Sequence, residues 1–488
     1  MKIAISYPPL ESPKGVPLLS QNRQFQWFNA PTYIYPVIPA TAATLLQREG
    51  HAVVWDDAVA EGKSFADWER SIIDSDVEIV AMESKTPVIK KHWRIIRHLK
   101  ERKPSLVTVL MGDHPTALPH ESMENCPADY LITGGDYDFS LLALCNHLAD
   151  RSKPMPKGVF YRDGSRIADT GAFAQTGDLA QLPWIDRDLT KWQLYAYKNG
   201  NYKYTPGTYT MAGRDCWWRK DGGCTFCSWT VIYPQFQKRT PDDLLNEVQM
   251  LVEKYGIREI FDDTGTFPCG AFLQEFCEGM IARGLNRRVT IGCNMKPGIL
   301  KPKDYALMGR ANFRFILFGV ESGVDETLLR LNKGNTVQDI RDAMKWAKEG
   351  GLEPHVTCMV GYPWESLADA KKTIALTKDL FQRGYIDTLQ ATICIPYAGT
   401  RLWKECLEND WLLTRDYDDF DMRKQVMKSE CTTEHVRQFA RELYWSFLSL
   451  PFIFNKLKKI RTLDDVTYLF RAAIQLIGHV LDFRKSQA

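Results

Sequence analysis

Arg214-Asp215-Cys216-Trp217-Trp218-Arg219-Lys220-Asp221-Gly222-Gly223-Cys224-Thr225-Phe226-Cys227 places three cysteines within twelve residues of a polar, glycine-containing stretch. Thiols gathered on such a loop suit a soft metal, because thiolate is the ligand type that zinc and iron–sulfur clusters select. The number matters. A structural zinc or a fully ligated cluster takes four protein ligands, whereas three thiolates leave one iron of a 4Fe–4S cube open to a substrate or cofactor. A fourth ligand, from Asp215 or a distant cysteine, would turn the same loop into a zinc site, and both readings stand at this level.

Outward from the loop, short apolar runs alternate with amphipathic stretches. Downstream, Tyr209–Gly213, Glu259–Asp263, Val289–Cys293, Arg314–Glu321, His355–Val360 and Thr388–Ile393 read as strands separated by helical patterns. Pro241–Tyr255 is one such helix, with Thr240 as its cap and proline at the first helical position. Six β/α units are too few for a closed eight-stranded barrel, so residues 202–430 are expected to form an open, partial (β/α)6 barrel. Upstream, Ile3–Tyr7, His51–Trp55, Val77–Met82, Val107–Met111 and Asp129–Thr133 read as strands, and Pro39–Glu49 as a helix closed by Gly50. Crossovers of this length imply an α/β, doubly wound parallel sheet of flavodoxin-like type over residues 1–150. Its ligands should sit at the strand ends, in Tyr7–Leu10, Asp56–Gly62, Gly112–Leu118 and Gly134–Asp138. Residues 151–201 read as a linker with a hairpin at Gly158–Ile167, and residues 431–488 as a helical C-terminal region.

The 488 residues are 44% hydrophobic and 25% charged, which is globular composition and excludes disorder as the main theme. Sixty-two Lys and Arg against sixty Asp and Glu give +2, so no global field attracts nucleic acid. The most apolar run, Ala472–Leu481, is broken by Gln475 and His479 and falls short of a membrane span. Met1–Ile5 enters a strand directly, without the layout of a signal peptide, and a cytoplasmic protein is expected. Its thiols are then reduced, and Cys126, Cys145, Cys358, Cys394, Cys406 and Cys431 read as small buried hydrophobes. The irregular spacing of Cys269, Cys277 and Cys293 favours core thiols over a second cluster. Pro451–Ala488 holds seven Lys and Arg against three Asp, with Phe452, Ile453 and Phe454 beside Lys456, Lys458 and Lys459. Such a helix either touches a membrane surface or packs on its own domain.

Cys224-Thr225-Phe226-Cys227 resembles the cluster loop of radical S-adenosylmethionine enzymes, and further landmarks follow in that family's order. Phe261-Asp262-Asp263 is similar to the end of its second strand. Gly319-Val320-Glu321-Ser322-Gly323, followed by Asn332-Lys333-Gly334, is similar to its fourth-strand segment. Met359-Val360-Gly361-Tyr362-Pro363 and Ile395-Pro396-Tyr397-Ala398-Gly399-Thr400 are similar to the fifth and sixth. In the first 150 residues, Tyr7-Pro8-Pro9, Gly112-Asp113-His114-Pro115 and Gly134-Gly135-Asp136 resemble the cobalamin-binding half of the cobalamin-dependent subfamily. That subfamily includes the anaerobic magnesium-protoporphyrin monomethyl ester cyclase and many methyltransferases.

The resemblance implies a 4Fe–4S cluster on Cys216, Cys224 and Cys227, with S-adenosylmethionine and a cobalamin. It assigns cofactor contacts to Pro8, Pro9, Gly112, His114, Pro115, Gly134, Asp262, Asp263, Glu321, Gly361, Pro396 and Gly399. Asp262 and Asp263 would hold the methionine amino group or only cap the next turn. Glu321 would meet a ribose hydroxyl or form a structural ion pair, and Gly361 and Gly399 would lie beside the adenine or serve only as turn glycines. Trp217, Trp218, Trp229 and Tyr233 either stack on a planar substrate or pack as core. No residue is singled out as an acid, base or nucleophile. The expected partners are a small-molecule or lipid substrate and a flavodoxin- or ferredoxin-type electron donor, and no nucleic acid. Two departures stand out. Seven residues, not the family's usual three, separate Cys216 from Cys224, and no Asp-x-His-x-x-Gly lies near Asp56–Gly62, which leaves His114 as the candidate for the cobalt. The expected reaction is methylation of an unactivated carbon. The alternatives are radical oxidation or ring closure without methyl transfer, and a cobalamin- or redox-sensing protein that performs no catalysis.

Overall fold

The computed structural model describes residues 1–19, 25–29, 31–446, 460, 462 and 464–471. Five strands near the amino terminus pair in parallel: β1 (Lys2–Tyr7), β2 (Ala52–Asp57), β3 (Ile79–Glu83), β4 (Val107–Met111) and β5 (Tyr130–Ile132). Their order is β2-β1-β3-β4-β5, the flavodoxin-like arrangement, in which the chain reverses direction across the sheet between β1 and β3. β3 reads Ile-Val-Ala-Met-Glu and is buried at every position, as a strand covered on both faces requires. The hairpin expected at Gly158–Ile167 forms as β6 (Val159–Asp163) and β7 (Arg166–Asp169). It adds antiparallel to β5, so this part of the linker extends the first sheet.

The second sheet holds β8 (Gly207–Thr210), β9 (Glu259–Asp262), β10 (Thr290–Met295), β11 (Phe313–Glu321), β12 (Glu353–Val360) and β13 (Thr388–Ile393). All six are parallel and lie in chain order, the strand succession of a partial barrel. Pro241–Tyr255 is helical as its caps predict, with the Thr240 side chain accepting from the Asp243 N–H and left-handed Gly256 ending it. Strand alternation divides the side chains between two cores. Ile260, Ile316 and Phe318 join the layer under the helices, while Tyr209, Phe261 and Phe315 join the core of the first sheet. A bulge between Ile291 and Cys293 shifts the β10–β11 register, which lets Phe313 and Phe315 serve different cores although they are two residues apart.

The amino end of the second sheet is closed by charge. Buried Arg314 donates to Glu259 at 3.1 Å and to Glu353 at 2.6 Å, and Lys203 pairs with Asp465 at 2.7 Å. Arg471 donates to the carbonyls of Tyr202 and Lys203. In strand-and-helix barrels this face serves stability, which leaves the opposite, carboxyl face for chemistry. Thr433–Ser446 is helical within the expected C-terminal region. Phe452, Ile453, Phe454, Lys456, Lys458, Lys459 and the run Ala472–Leu481 lie outside the described residues. No described helix is long and apolar enough to cross a membrane.

Candidate functional site

The three-thiol loop leaves β8 at the carboxyl end of the second sheet. Gly213–Arg214 pairs antiparallel with Gln237–Lys238, and the Gly213 N–H donates to Thr264 Oγ1 at 2.9 Å. Gly265 donates to the Asp215 carbonyl. A Cβ on Gly265 would lie 2.8 Å from both that oxygen and the Cys216 Cβ, so only glycine lets the loops after β8 and β9 meet. The long spacer between Cys216 and Cys224 is folded rather than loose. Trp217–Asp221 makes a 3-10 turn that ends at left-handed Gly222. Asn332 Nδ2 donates to the carbonyls of Asp221 and Gly223 at 2.8 Å each, and Trp218 Nε1 donates to the Asn332 carbonyl at 2.7 Å. Lys296 lies 4.3 Å from the centre of the Trp218 ring and donates to the Gly334 carbonyl. Cys216, Cys224 and Cys227 are half-buried, whereas eight of the other nine cysteines are buried; Cys277 and Cys293 sit in the core and Cys269 hydrogen-bonds the Phe267 carbonyl.

Charge converges on the same place. Lys333 pairs with Glu321 at 3.2 Å, and each is 6% exposed. Burial opposes the Lys333 ammonium, but Glu321 and the Cys224 and Cys216 sulfurs outweigh it and hold its pKa above the usual lysine value. Burial, helped by repulsion from Lys333, pushes Lys296 down to about 8. The Cys224 thiol is pushed up by burial, and Lys333 and Lys296 work in the opposite direction. Two cations thus stand beside the thiols, and at Cys224 they offset part of the cost that burial sets on the thiolate. Glu321 has φ of +65° at the end of β11, where a second bulge displaces the register; a non-glycine residue held there is strained and over-determined by its surroundings. Thr225 Oγ1, Ser228 Oγ, Asn335 Oδ1 and Thr392 Oγ1 are buried without a hydrogen-bond partner. Thr225 and Ser228 flank the thiols directly.

The carboxyl-end residues named from the sequence differ in surroundings. The Asp262 carboxylate accepts from the Ala212 N–H at 2.6 Å, the Thr264 N–H and the Thr210 hydroxyl, and burial raises it to about 7. It therefore holds together the loops after β8 and β9. Asp263 accepts from Asn294 Nδ2 at 3.2 Å. Gly361 has open space, since a Cβ there would meet only Ile393 at 3.6 Å, and Pro396 is buried at the end of β13. Gly399 instead packs against Ala117 and Val231. Trp229 and Tyr233 are core residues in edge-to-face contact, and Trp217 and Trp218 are half-buried.

At the carboxyl end of the first sheet, Pro8 and Pro9 are buried after β1, and the Tyr7 hydroxyl donates to Glu83 at 2.6 Å. Lys85, 4% exposed, lies 3.8 Å from Asp113. Gly112 backs onto Ser84, Gly134 onto the Phe173 ring and Gly135 onto the Tyr233 ring, so the chain itself fills the space beside these three glycines. His114 and buried Pro115 belong to the short helix Asp113–Ala117. The His114 ring is wholly buried between Trp93 and Tyr417, with Nδ1 3.2 Å from Thr86 Oγ1. The structure thus gathers Cys216, Cys224, Cys227 and Glu321, with Asp262 and Asp263 beside them, and sets Pro8, Pro9, Gly112, His114, Pro115 and Gly134 across the seam on the other sheet.

Arg214, Thr225, Ser228, Lys296, Lys333 and Asn335 were not assigned roles from the sequence. Lys296 had a signal, a polar side chain just past a strand end, but its pairing with a loop eighty residues away has no local trace. Among the described residues, no three His, Cys, Asp or Glu side chains are drawn around one ion-sized point.

Residues 213–377 match the sequence model of the radical SAM superfamily. The uncharacterized methyltransferase PH0819 of Pyrococcus horikoshii is 26% identical over 417 residues, covering 84% of this chain and 87% of that protein. The anaerobic magnesium-protoporphyrin IX monomethyl ester cyclase of Cereibacter sphaeroides is 26% identical over 390 residues, covering 77% of this chain and 60% of the cyclase. Among solved structures, the cobalamin-dependent S-adenosylmethionine radical enzyme OxsB superposes with a TM-score of 0.70 at 14% identity, over 98% of this chain and 72% of OxsB. The radical S-adenosylmethionine methyltransferase TsrM of Kitasatospora setae gives 0.62 at 14% identity, over 84% of this chain and 75% of TsrM.

Proposed function

We propose that this chain, which carries a radical SAM domain, is a cobalamin-dependent radical S-adenosylmethionine enzyme that methylates an unactivated carbon of a small-molecule or lipid substrate. The observation that carries this reading is the convergence of three half-buried thiols with two lysines, Glu321 and unpartnered polar atoms at the carboxyl end of the second sheet. Unsatisfied buried polar atoms are costly, and a bound ligand that pairs them removes the cost. The residues present fit the cluster and its nucleoside ligand. Cys216, Cys224 and Cys227 would hold the iron, and Thr225, Ser228 and Asn335 offer hydrogen bonds beside it.

For the corrin, the carboxyl ends of β1 and β3 offer buried Tyr7, Glu83, Ser84, Lys85 and Thr86 at the switch point where ligands of such sheets bind. A 4Fe–4S cluster with S-adenosylmethionine supplies one-electron cleavage of a carbon–sulfur bond and hydrogen-atom abstraction, and a cobalamin supplies a transferable methyl group. The protein's part is positioning and shielding. Lys296 and Lys333 oppose the burial that disfavours charge on the Cys224 sulfur, the folded spacer Trp217–Gly223 walls off one side, and Asp262 fixes the loop that carries Cys216.

Methylation is supported by the names of PH0819 and TsrM. The second reading, oxidation or ring closure without methyl transfer, is supported by the cyclase, which is as similar in identity as PH0819. Anaerobic reconstitution with iron, sulfide and hydroxocobalamin tests the whole proposal through iron and sulfide content and the electron paramagnetic resonance of the reduced protein. Candidate substrates then separate the two readings. Methylation yields S-adenosylhomocysteine together with 5′-deoxyadenosine, while ring closure yields the second alone. A protein that stays iron-free through reconstitution abolishes both.

A further inference from the structure

We propose that Arg214 is a positioning residue through which the loop after β5 sets the geometry of the three thiols, so that ligands on the two sheets sense one another. Arg214 lies two residues before Cys216 and is 3% exposed, yet its side chain leaves its own sheet. Nη1 donates to Asp136 Oδ1 at 2.8 Å and to Asp138 Oδ1 at 2.9 Å, and Nη2 donates to Asp138 Oδ2. Both carboxylates sit where the chain passes from β5 into the helix Tyr137–Ala149, at the carboxyl end of the first sheet.

The segment after the third thiol is held by the same loop. The Gly135 N–H donates to the Ile232 carbonyl at 2.8 Å, and the Tyr233 ring fills the space that a side chain at 135 would take. Both flanks of the thiol loop are therefore anchored on residues 134–138. Behind that anchor the hydrogen bonds continue across the first sheet. Gly134 donates to Thr116 Oγ1 at 3.0 Å, Thr116 donates to the Gly112 carbonyl at 2.7 Å, and Gly112 packs on Ser84, whose N–H donates to Met111. An unbroken path of packed and bonded groups thus runs from the end of β3 to Cys216.

A contiguous path makes coupling physically available, and only a coupling measurement establishes it. Two carboxylates on one planar guanidinium fix its orientation as well as its position, which an ammonium does less well. Coupling between bound ligands is reciprocal, so it is readable from either side. That half of the inference rests on the proposed function; the positioning half does not.

The experiment uses the full chain with Arg214→Met, Arg214→Lys and Asp138→Asn. In the reconstituted protein, S-adenosylmethionine affinity is read from the cluster's paramagnetic signal with and without hydroxocobalamin. In the unsubstituted chain hydroxocobalamin should change that affinity about fivefold or more. Arg214→Met should keep its iron and cobalamin yet lose the change, and Arg214→Lys should recover part of it. An unsubstituted chain without the change, or an Arg214→Met variant that retains it, overturns the coupling. The positioning half is read on the metal-free chain by hydrogen–deuterium exchange, where the near-isosteric Asp138→Asn guards against a variant that fails to fold. Amides of residues 215–227 should exchange about tenfold faster while β1 and β3 are unaffected. Unchanged exchange there refutes it. Failure to bind cobalamin refutes the proposed function and the coupling that rests on it, while the exchange measurement still decides the positioning.

Discussion

The carboxyl ends of the two parallel sheets are written in similar residues and filled differently. At the end of the second sheet, Gly361 faces open space, and Thr225, Ser228, Asn335 and Thr392 keep buried polar atoms without partners. At the end of the first, Ser84, Phe173 and Tyr233 occupy the room beside Gly112, Gly134 and Gly135, and Tyr7 already donates to Glu83. A glycine in a strand-end motif therefore means two things: room for a ligand, or room for the chain itself. Unpaired buried polar atoms occur at both ends, since His114 Nε2 and Asp136 Oδ2 are buried without a hydrogen bond at the first, and each costs about 1–3 kcal/mol unless something outside the chain pairs it.

Removing a thiol breaks the comparison at its strongest point. Cys224→Ala and Cys227→Ala should lower bound iron after reconstitution to background and abolish S-adenosylmethionine cleavage, while the far-ultraviolet circular dichroism stays that of the parent chain. Retained iron in either variant would remove the distinction between the two sheet ends. Lys333→Met acts next. It leaves Glu321 buried without its cation, and loss of one partner of a buried pair costs roughly 3–5 kcal/mol, visible as a lower urea midpoint. A replacement as mild as a surface substitution would show that water, and not Lys333, satisfies Glu321.

Much of this was legible in the sequence because it is local. Strand alternation gives Val107–Met111 and Thr388–Ile393 at their observed bounds, and Thr240 followed by proline gives the helix Pro241–Tyr255. The thiols announced themselves by spacing. Lys296, Asn332 and Arg214 did not, since their partners lie 38, 109 and 76 residues away or more and periodicity carries no information about such pairs. Gly134 reads as a ligand contact on motif alone, and which ring stands beside it or beside Gly135 is a property of the assembled fold.

Gly135→Ala tests that last point with an effect of intermediate size. The new methyl group would overlap the Tyr233 ring, and overpacking of this kind costs about 1–3 kcal/mol. Iron uptake should fall along with thermal stability, because Tyr233 follows the thiol loop directly. If room beside Gly135 exists for a ligand instead, the variant should lose cobalamin affinity and keep its unfolding midpoint.

Acidity separates the sheets more gently. Asp262 is raised to about 7 by burial, so it is neutral in the folded chain over a range where the unfolded chain carries the charge. Its contribution to stability is fully present below about pH 4 and is lost as pH rises through about 7, worth roughly 2 kcal/mol between pH 5 and pH 8. Urea unfolding at these two pH values should show a smaller difference in Asp262→Asn than in the parent chain. An equal difference would mean that the hydrogen bonds from Ala212 and Thr264 keep the carboxylate ionised throughout.

The smallest expected effect is at His114. Its Nδ1 is taken by Thr86, its ring centre lies 4.6 Å from that of Tyr417, and Nε2, 3.6 Å from Glu121, is without a hydrogen bond. Burial holds its pKa below the usual histidine value, with Glu121 opposing, so the neutral ring is favoured. A cobalt ligand would need one ring nitrogen turned toward a corrin face, and both nitrogens here point at groups of this chain. His114→Gln should therefore leave the nitrogen splitting in the cob(II)alamin resonance spectrum as it is in the parent protein and cost only about 1 kcal/mol of stability. Loss of that splitting would return His114 to the metal and show that the ring reorients when the cofactor binds, making the first sheet the more adaptable of the two.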